Sequence, residues 1–121
     1  MSSNLKFYRD KNDKSKFIVS NGDLQKEGDY IELKANSVDA SFEKHVPVCK
    51  VEDGKVTVTV GSSIHPMLDK HYIMWIAIVH DDNVKMIKLK PNDQPIVVFD
   101  YLGESEVYAF CNLHGLWKNN V

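Results

Sequence analysis

Short segments in which apolar and polar residues alternate with a period of two are the feature that most limits how this 121-residue chain can fold. The clearest is KVTVTV at 55–60, which follows an Asp53-Gly54 pair typical of a hairpin turn. The segment YIMWIAIVH at 72–80 is apolar almost throughout and rich in β-branched and aromatic residues, so we expect a central strand there. Further strands are expected at YIELKA (30–35), HVPVCKVE (45–52), VKMIKLK (84–90), QPIVVFDY (94–101) and EVYAFCN (106–112).

These segments predict the fold class. About seven short strands separated by turn signals are typical of an all-β, antiparallel β-sandwich of immunoglobulin-like type. No segment has sustained helical periodicity, so we expect no helix beyond single turns, and SSIHPMLDKHY at 62–72 is the best place for one. The first 30 residues are polar and weakly patterned, which indicates a short N-terminal extension.

Composition excludes several classes of protein. A net charge of −2 provides no global attraction for nucleic acid or for anionic membranes, so neither is expected as a partner. No apolar run has the roughly 20 residues of a membrane span, and the first residues lack the apolar stretch of a secretory signal. We therefore expect a cytoplasmic protein, in which thiols stay reduced. Two cysteines also cannot form a disulfide framework.

Histidines and a cysteine occur at positions expected to be loops. His65 and His71 flank the segment HPMLDKH, Cys111 and His114 lie at the end of the last expected strand and in the turn after it, and His45 opens a strand. These three places can converge at one end of a sandwich. Imidazole is the commonest protein ligand for metals, and a thiolate adds softness and charge.

Spacing alone leaves open whether these five residues bind a metal, and it does not name the metal. The other two candidates have structural interpretations: Cys49 as a small apolar residue of a core strand, and His80 as the end of a strand beside a turn.

Zinc, copper and iron place different requirements on such a donor set. A structural zinc site takes four ligands and usually more cysteines, so five candidates exceed its needs. Blue copper takes two histidines, one cysteine and an axial methionine, but no methionine follows His114 and Trp117 stands in that region. Iron accepts four imidazoles in a plane with an axial thiolate, which leaves a sixth position open.

Three motifs together resemble a known family. EKHVP (43–47), HPMLDKHYI (65–73) and CNLHGLW (111–117) are similar, in this order, to motifs of the superoxide reductases, also called neelaredoxins and desulfoferrodoxins. The resemblance covers residues 36–121. It implies one mononuclear non-haem iron that passes between Fe2+ and Fe3+, and an enzyme that reduces superoxide by one electron to hydrogen peroxide.

The resemblance also implies a role for each motif residue. Lys44 would lie on a mobile loop above the open position, and Glu43 would bind the oxidised iron as a sixth ligand. The expected ligands of the iron are four equatorial imidazoles and one axial thiolate: His45, His65, His71, His114 and Cys111. Backbone N–H groups of residues 113 and 114 are the expected donors to the sulfur, and Gly115 suits a turn with positive φ.

The N-terminus departs from the pattern of many relatives. They carry a small desulforedoxin-like domain with four cysteines around a second iron, whereas Asp10 and Asp13 stand where cysteines are expected. Two aspartates cannot replace a four-thiolate site. We therefore expect residues 1–35 to be a degenerate, metal-free extension and residues 36–121 to be the iron-binding sandwich. By resemblance, the electron donor is rubredoxin-type and the protein a homodimer or homotetramer.

Two alternatives from other classes remain at this point. The first is a cupredoxin-like electron-transfer protein that turns over no substrate. The second is a binding module in which the metal is structural. Iron rather than copper in the purified protein excludes the first, and an open coordination position that takes azide or cyanide excludes the second.

Overall fold

The computed structural model describes residues 5–24, 28–37, 40 and 42–121. Within these residues the chain forms ten β-strands and one helical turn. In chain order they are β1 (Leu5–Asp10), β2 (Phe17–Asn21), β3 (Tyr30–Leu33), α1 (Phe42–His45), β4 (Pro47–Glu52), β5 (Lys55–Val60), β6 (Ile73–His80), β7 (Asn83–Lys88), β8 (Ile96–Asp100), β9 (Glu106–Cys111) and β10 (Gly115–Asn120).

Seven of the strands form a β-sandwich. One sheet has the order β10-β9-β6-β7 and the other the order β4-β5-β8, and all their pairings are antiparallel. The core between the two sheets is built from alternate residues of the facing strands, chiefly Val56, Val58, Val60, Ile76, Ile78, Val97, Phe99, Val107 and Ala109. The predicted immunoglobulin-like sandwich of about seven strands is confirmed.

The apolar run at 72–80 is explained by burial of β6 on both faces. Ile76 and Ile78 point into the core of the sandwich, whereas Trp75, Ala77 and Val79 point to the opposite face of the sheet. A strand that is covered on both sides needs no polar face, so its sequence does not alternate. The expectation of a central strand is confirmed, because β6 lies between β9 and β7.

The second face of β6 is covered by the N-terminal segment. Strands β2, β1 and β3 form a separate antiparallel sheet. The ring of Phe7 lies 5.3 Å from that of Trp75 and 4.8 Å from that of Tyr108, measured between centroids. The weakly patterned segment therefore contributes a three-stranded layer to the outside of the sandwich, while the boundary expected at residue 35 stays a prediction.

Two local expectations were wrong. The single helical turn is α1, closed by a hydrogen bond from Val46 N–H to the carbonyl of Phe42, and not the segment 62–72. That segment contains Pro66 and an isolated β-bridge between Leu68 and His71, both of which oppose helix. The strand expected at 106–112 is also not the last one, because β10 follows the turn and pairs with β9. Among the described residues no helix has the length and apolar character needed to cross a bilayer.

Candidate metal centre

Three connections bring the candidate ligands to one end of the sandwich. His45 is the last residue of α1, just before β4. His65 and His71 belong to the connection between β5 and β6, and Cys111 and His114 lie at the junction of β9 and β10. All five positions expected from the sequence are thus brought together.

The four imidazole rings stand at the corners of a near square. Neighbouring ring centroids are 4.7 Å apart for His45–His65 and His65–His71, 5.0 Å for His71–His114 and 4.8 Å for His45–His114. The diagonal between His45 and His71 is 6.4 Å. Neighbouring rings are inclined by 71–83° to one another. Four rings in this arrangement can direct one nitrogen each toward a common centre.

The nitrogen and sulfur atoms face that centre. Nε2 of His45 and Nδ1 of His114 lie 3.1 Å apart, and the Cys111 sulfur lies 3.9 Å from the same Nδ1. One potential ligand atom from each of His45, His71, Cys111 and His114 falls within 4.8 Å of the others. His65 is outside this tightest group, although its ring closes the square on two sides.

Two of the nitrogens are buried without a partner. Nε2 of His65 and Nε2 of His71 make no hydrogen bond among the described residues. Nδ1 of His65 lies 2.7 Å from the carbonyl of Pro66, and because only a protonated nitrogen can donate to a carbonyl, the lone pair is on Nε2. Buried polar atoms without partners are rare, and these two nitrogens are available to bind a metal.

Burial favours the neutral forms of His65 and His71. It lowers the pKa of His65 to about 4. The pKa of His71 is also lowered, first by burial and then by the charges of His114, His45 and Lys44. A metal competes with protons for imidazole nitrogen, so histidines that resist protonation at neutral pH are suited to ligation.

The Cys111 thiol is buried at the end of β9 and is supported by backbone donors. Burial raises its pKa, while hydrogen bonds from the N–H groups of Leu113 and His114 and the charge of Lys14 act in the opposite direction. The expected backbone donors are therefore present. Gly115 has φ 81°, as expected for the turn that follows the ligand positions.

Asn112 ties the cysteine turn to the histidine loop, and sequence reasoning missed this role. Its Oδ1 accepts a hydrogen bond from Tyr72 N–H at 3.0 Å, and its Nδ2 donates to the carbonyl of Lys70 at 3.1 Å. Within that loop, Leu68 and His71 exchange two backbone hydrogen bonds of 2.9 and 3.0 Å. An amide that satisfies backbone groups on both sides of His71 fixes that ring relative to Cys111.

Trp117 is a second residue that sequence reasoning did not place. Its ring stacks on His45 with centroids 4.8 Å apart, and its indole N–H donates to the carbonyl of His114 at 3.0 Å. Phe42 meets the same indole edge-on at 5.3 Å. The only signal in the sequence was an aromatic residue three positions after a histidine, which is too common to assign.

Glu43 and Lys44 are exposed on α1, and the backbone beneath them is clamped. The Glu43 carbonyl accepts a hydrogen bond from Ser63 N–H at 3.0 Å. Gly61 has φ 86°, and a Cβ there would lie 2.4 Å from the Ser63 carbonyl oxygen and 2.6 Å from that of Lys44. The turn at 61–63 thus approaches α1 as closely as a residue without a side chain allows. It thereby fixes the turn that carries both charged residues next to His45.

The two remaining candidates do not join the cluster. Cys49 is half-buried against the core of the sandwich, and burial raises the pKa of its thiol to about 11. Nδ1 of His80 lies 3.0 Å from the carbonyl of Glu104, and its Nε2 lies 3.6 Å from the carboxylate of Asp81. Both fit the structural interpretations expected from the sequence.

The donor set fits iron better than the other metals considered. A square of four imidazoles does not match the tetrahedral four-ligand site of zinc, nor the two histidines of a blue-copper site. Four nitrogens around a centre with one thiolate match the ligand types of thiolate-bound haem iron, with imidazoles in place of the macrocycle. The cluster is the only group of this kind found among the described residues.

Fold and site together define a class: a small immunoglobulin-like β-sandwich with a four-histidine, one-cysteine cluster at one end. Residues 37–120 match the desulfoferrodoxin family model. The chain belongs to the desulfoferrodoxin family.

Relatives and solved structures agree with this assignment. The desulfoferrodoxin of Clostridium acetobutylicum is 43% identical over 89 residues, which is 74% of this chain and 71% of that protein. The superoxide reductase of Pyrococcus abyssi is 35% identical over 70% of this chain and 91% of its own length. The crystal structure of the superoxide reductase from Treponema pallidum aligns with TM-score 0.77 and 30% identity over 95% of this chain and 98% of that one. Its coverage extends the structural likeness to the N-terminal sheet.

Proposed function

We propose that this protein is a superoxide reductase that converts superoxide to hydrogen peroxide at one mononuclear non-haem iron. The observation that supports this most is the near square of imidazoles beside a thiol, in a chain whose relatives include proteins named superoxide reductase. In the balanced reaction, superoxide takes up one electron and two protons and becomes hydrogen peroxide. Bound iron would supply the electron by passing from Fe2+ to Fe3+.

The proposed ligands use the donor atoms that face the centre. Nε2 of His45, His65 and His71, Nδ1 of His114 and the Cys111 sulfur would hold the iron. The two buried Nε2 atoms without partners support this assignment, as does the short distance between the His45 and His114 nitrogens. Neutral imidazoles keep the site's charge low, and the thiolate is the donor that makes ferrous iron a better reductant.

Lys44 is proposed to attract superoxide and to organise the protons. Its ammonium contributes to the lowered pKa of His71, so its positive charge acts on the histidine cluster. A local positive charge matters because the net charge of −2 gives no overall attraction for an anion. The same ammonium can stabilise negative charge that develops on the substrate and hold a water that delivers a proton.

Glu43 is proposed to be the sixth ligand of the oxidised iron. It is next to Lys44 on α1 and exposed to solvent, so its side chain would have to rotate toward the open position in order to bind. Replacing Glu43 with glutamine should leave turnover largely intact but change the ferric spectrum and its pH dependence. Identical ferric spectra across pH would exclude carboxylate ligation.

The N-terminal unit, residues 1–35, is proposed to hold no metal, so that the protein contains one iron. In the turn between β1 and β2, Asp10 accepts hydrogen bonds from the N–H groups of Asn12 and Asp13. Carboxylate oxygens thus hold a turn that thiolate–iron bonds would hold in relatives with a second iron. Cytoplasmic location, a rubredoxin-type donor and a homodimer or homotetramer complete the proposal.

The cupredoxin-like alternative is not favoured. Blue-copper proteins need two histidines and a cysteine, and a ring of four imidazoles leaves two of them without a role. The relatives that match this chain are named desulfoferrodoxin or superoxide reductase.

Metal content and the visible spectrum of the oxidised protein test the proposal. We expect about one iron per chain and a sulfur-to-iron charge-transfer band that appears when superoxide is added to the reduced protein. Cys111→Ser should abolish the band, whereas the control Cys49→Ser should keep it. Copper in place of iron, or a band that survives Cys111→Ser, would overturn the proposed site.

A further inference from the structure

The turn between β1 and β2 reaches across to the cysteine end of the sandwich. Its Lys14 ammonium donates a hydrogen bond to the carbonyl oxygen of Asn112 at 2.6 Å, although the two residues are 98 positions apart in sequence. Asn112 directly follows Cys111, so an N-terminal charge lies against the peptide group that joins residues 112 and 113, close to the proposed thiolate ligand. A hydrogen bond from a charged donor is roughly twice as strong as a neutral one.

The peptide group that Lys14 contacts also serves the sulfur. The carbonyl of Asn112 and the N–H of Leu113 belong to one peptide unit, and that N–H donates to the sulfur of Cys111. A cation on the oxygen withdraws electron density from the nitrogen, which makes the N–H a stronger donor, because hydrogen bonds in series polarise one another. The charge of the Lys14 ammonium therefore acts on the Cys111 thiolate through one peptide unit.

Aspartates hold Lys14 in place for this contact. Asp10 Oδ1 accepts the N–H groups of Asn12 and Asp13 at 2.8 and 3.0 Å. Asp13 Oδ1 accepts the N–H and hydroxyl of Ser15 at 3.0 and 2.6 Å. With carboxylates capping its backbone on both sides of Lys14, the turn loses little further freedom when the ammonium docks.

We propose that Lys14 is a positioning residue for the Cys111 thiolate, acting through the peptide unit of residues 112 and 113. In this role the N-terminal unit, which is proposed to lack a metal, lowers the electron density that the Cys111 sulfur donates to the metal. Hydrogen bonds to sulfur ligands and nearby positive charge both favour the reduced, less positive metal. Lys14 therefore raises the reduction potential of the site. The inference rests on the proposed function only in requiring Cys111 to bind a metal.

A redox titration of the iron-loaded full-length protein tests this role. Lys14→Gln removes the charge and most of the donor strength, so its potential should fall below that of the wild type. Its sulfur-to-iron band should move to longer wavelength, because a less stabilised sulfur lone pair is easier to ionise. Lys14→Arg keeps a cationic donor and should retain both wild-type values.

A matched control separates the contact from a general effect of charge. Lys11 lies in the same turn, and its side chain makes no hydrogen bond or ion pair among the described residues. Lys11→Gln removes the same charge and should leave the potential and band unchanged. Asp13→Ala should shift the potential in the same direction as Lys14→Gln, and combining the two changes should add little, because both act through one contact.

Clear outcomes would overturn the inference. A Lys14→Gln potential equal to that of the wild type, or an equal shift in Lys11→Gln, shows that Lys14 only joins the two sheets. The Co2+-loaded protein gives the same comparison through its thiolate-to-cobalt band, so the answer does not depend on iron. If the protein binds metal but does not reduce superoxide, the proposed function fails while the Lys14 comparison still decides this inference.

Discussion

Trp117 stacks on His45 with their ring centroids 4.8 Å apart, so the last strand of the chain supports an imidazole that precedes the first strand of the sandwich. The same indole donates to the carbonyl of His114, which places one side chain behind two corners of the square. The rigidity of the site therefore depends on β10 as well as on the loops that carry the ligands.

Replacing Trp117 with phenylalanine should weaken metal binding. An aromatic ring is kept, but the N–H is lost and the carbonyl of His114 loses its donor. Loss of a group that orients a ligand typically lowers metal affinity by about 10–100-fold. Competition with a chelator measures this. Trp75→Phe is the control, because the Trp75 N–H has no hydrogen-bond partner among the described residues and that ring lies in the N-terminal interface. Equal effects of the two changes would exclude a specific role for Trp117.

Replacing Lys44 with glutamine should slow the reaction with superoxide. Local steering of an anion by positive charge contributes about tenfold or more to such rates at low salt. Because salt screens this attraction, the difference from the wild type should shrink as ionic strength rises. Rapid-mixing or pulse-radiolysis kinetics over a salt series provide the test. Lys50→Gln, at an exposed position of β4, is the control for the loss of one positive charge. A rate that does not change in Lys44→Gln would remove the steering role.

Gly61→Ala should destabilise the protein more than an ordinary glycine replacement. The new Cβ would meet backbone oxygens of Ser63 and Lys44 within 2.6 Å, and the positive φ adds strain. We expect a loss of at least about 2 kcal/mol in the free energy of unfolding. Gly54→Ala also has positive φ but nothing within 4 Å, so it should cost only about 1 kcal/mol. Urea unfolding of both variants decides the point, and equal losses would show that the 61–63 turn does not clamp α1.

The metal-free protein should lose stability as the pH falls from about 6.5 toward 4. The pKa of His65 is about 4 in the folded protein and 6.5 without burial, so the unfolded chain binds the proton first. His71, whose pKa is also lowered, acts in the same direction. Urea midpoints measured across this range should decline, and His65→Asn should flatten the decline. Midpoints that are constant or rise on acidification would contradict neutral buried imidazoles.

Local patterns were sufficient for most of the sandwich but not for its outer layer. β5 has strict alternation and was predicted with its observed bounds, and β6 was recognisable by length and composition. In β1, the neighbouring residues Phe7 and Tyr8 are both buried. Phe7 faces the sandwich and Tyr8 points to the other side of its sheet, so apolar and polar residues do not alternate. β10 begins at a glycine and ends in two asparagines, and only pairing with β9 makes it a strand.

The candidate ligand residues could be predicted from the sequence, but the contacts that hold them in place could not. Ligand types are visible in the motifs because iron requires particular donor atoms. The contacts that hold the ligands in place come from Lys14, Asn112 and Trp117. These residue types occur on the surface or in the core of any protein. Their partners are backbone atoms whose positions depend on the folded chain, so no spacing in the sequence reveals them.

The measurement that tests the central claim most directly is the yield of products from superoxide. Reduced, iron-loaded protein should consume superoxide and form one hydrogen peroxide for each superoxide, with one iron oxidised and no dioxygen released. One hydrogen peroxide for every two superoxides, with dioxygen evolved, would show dismutation instead. That result, or the absence of any reaction, would contradict the account.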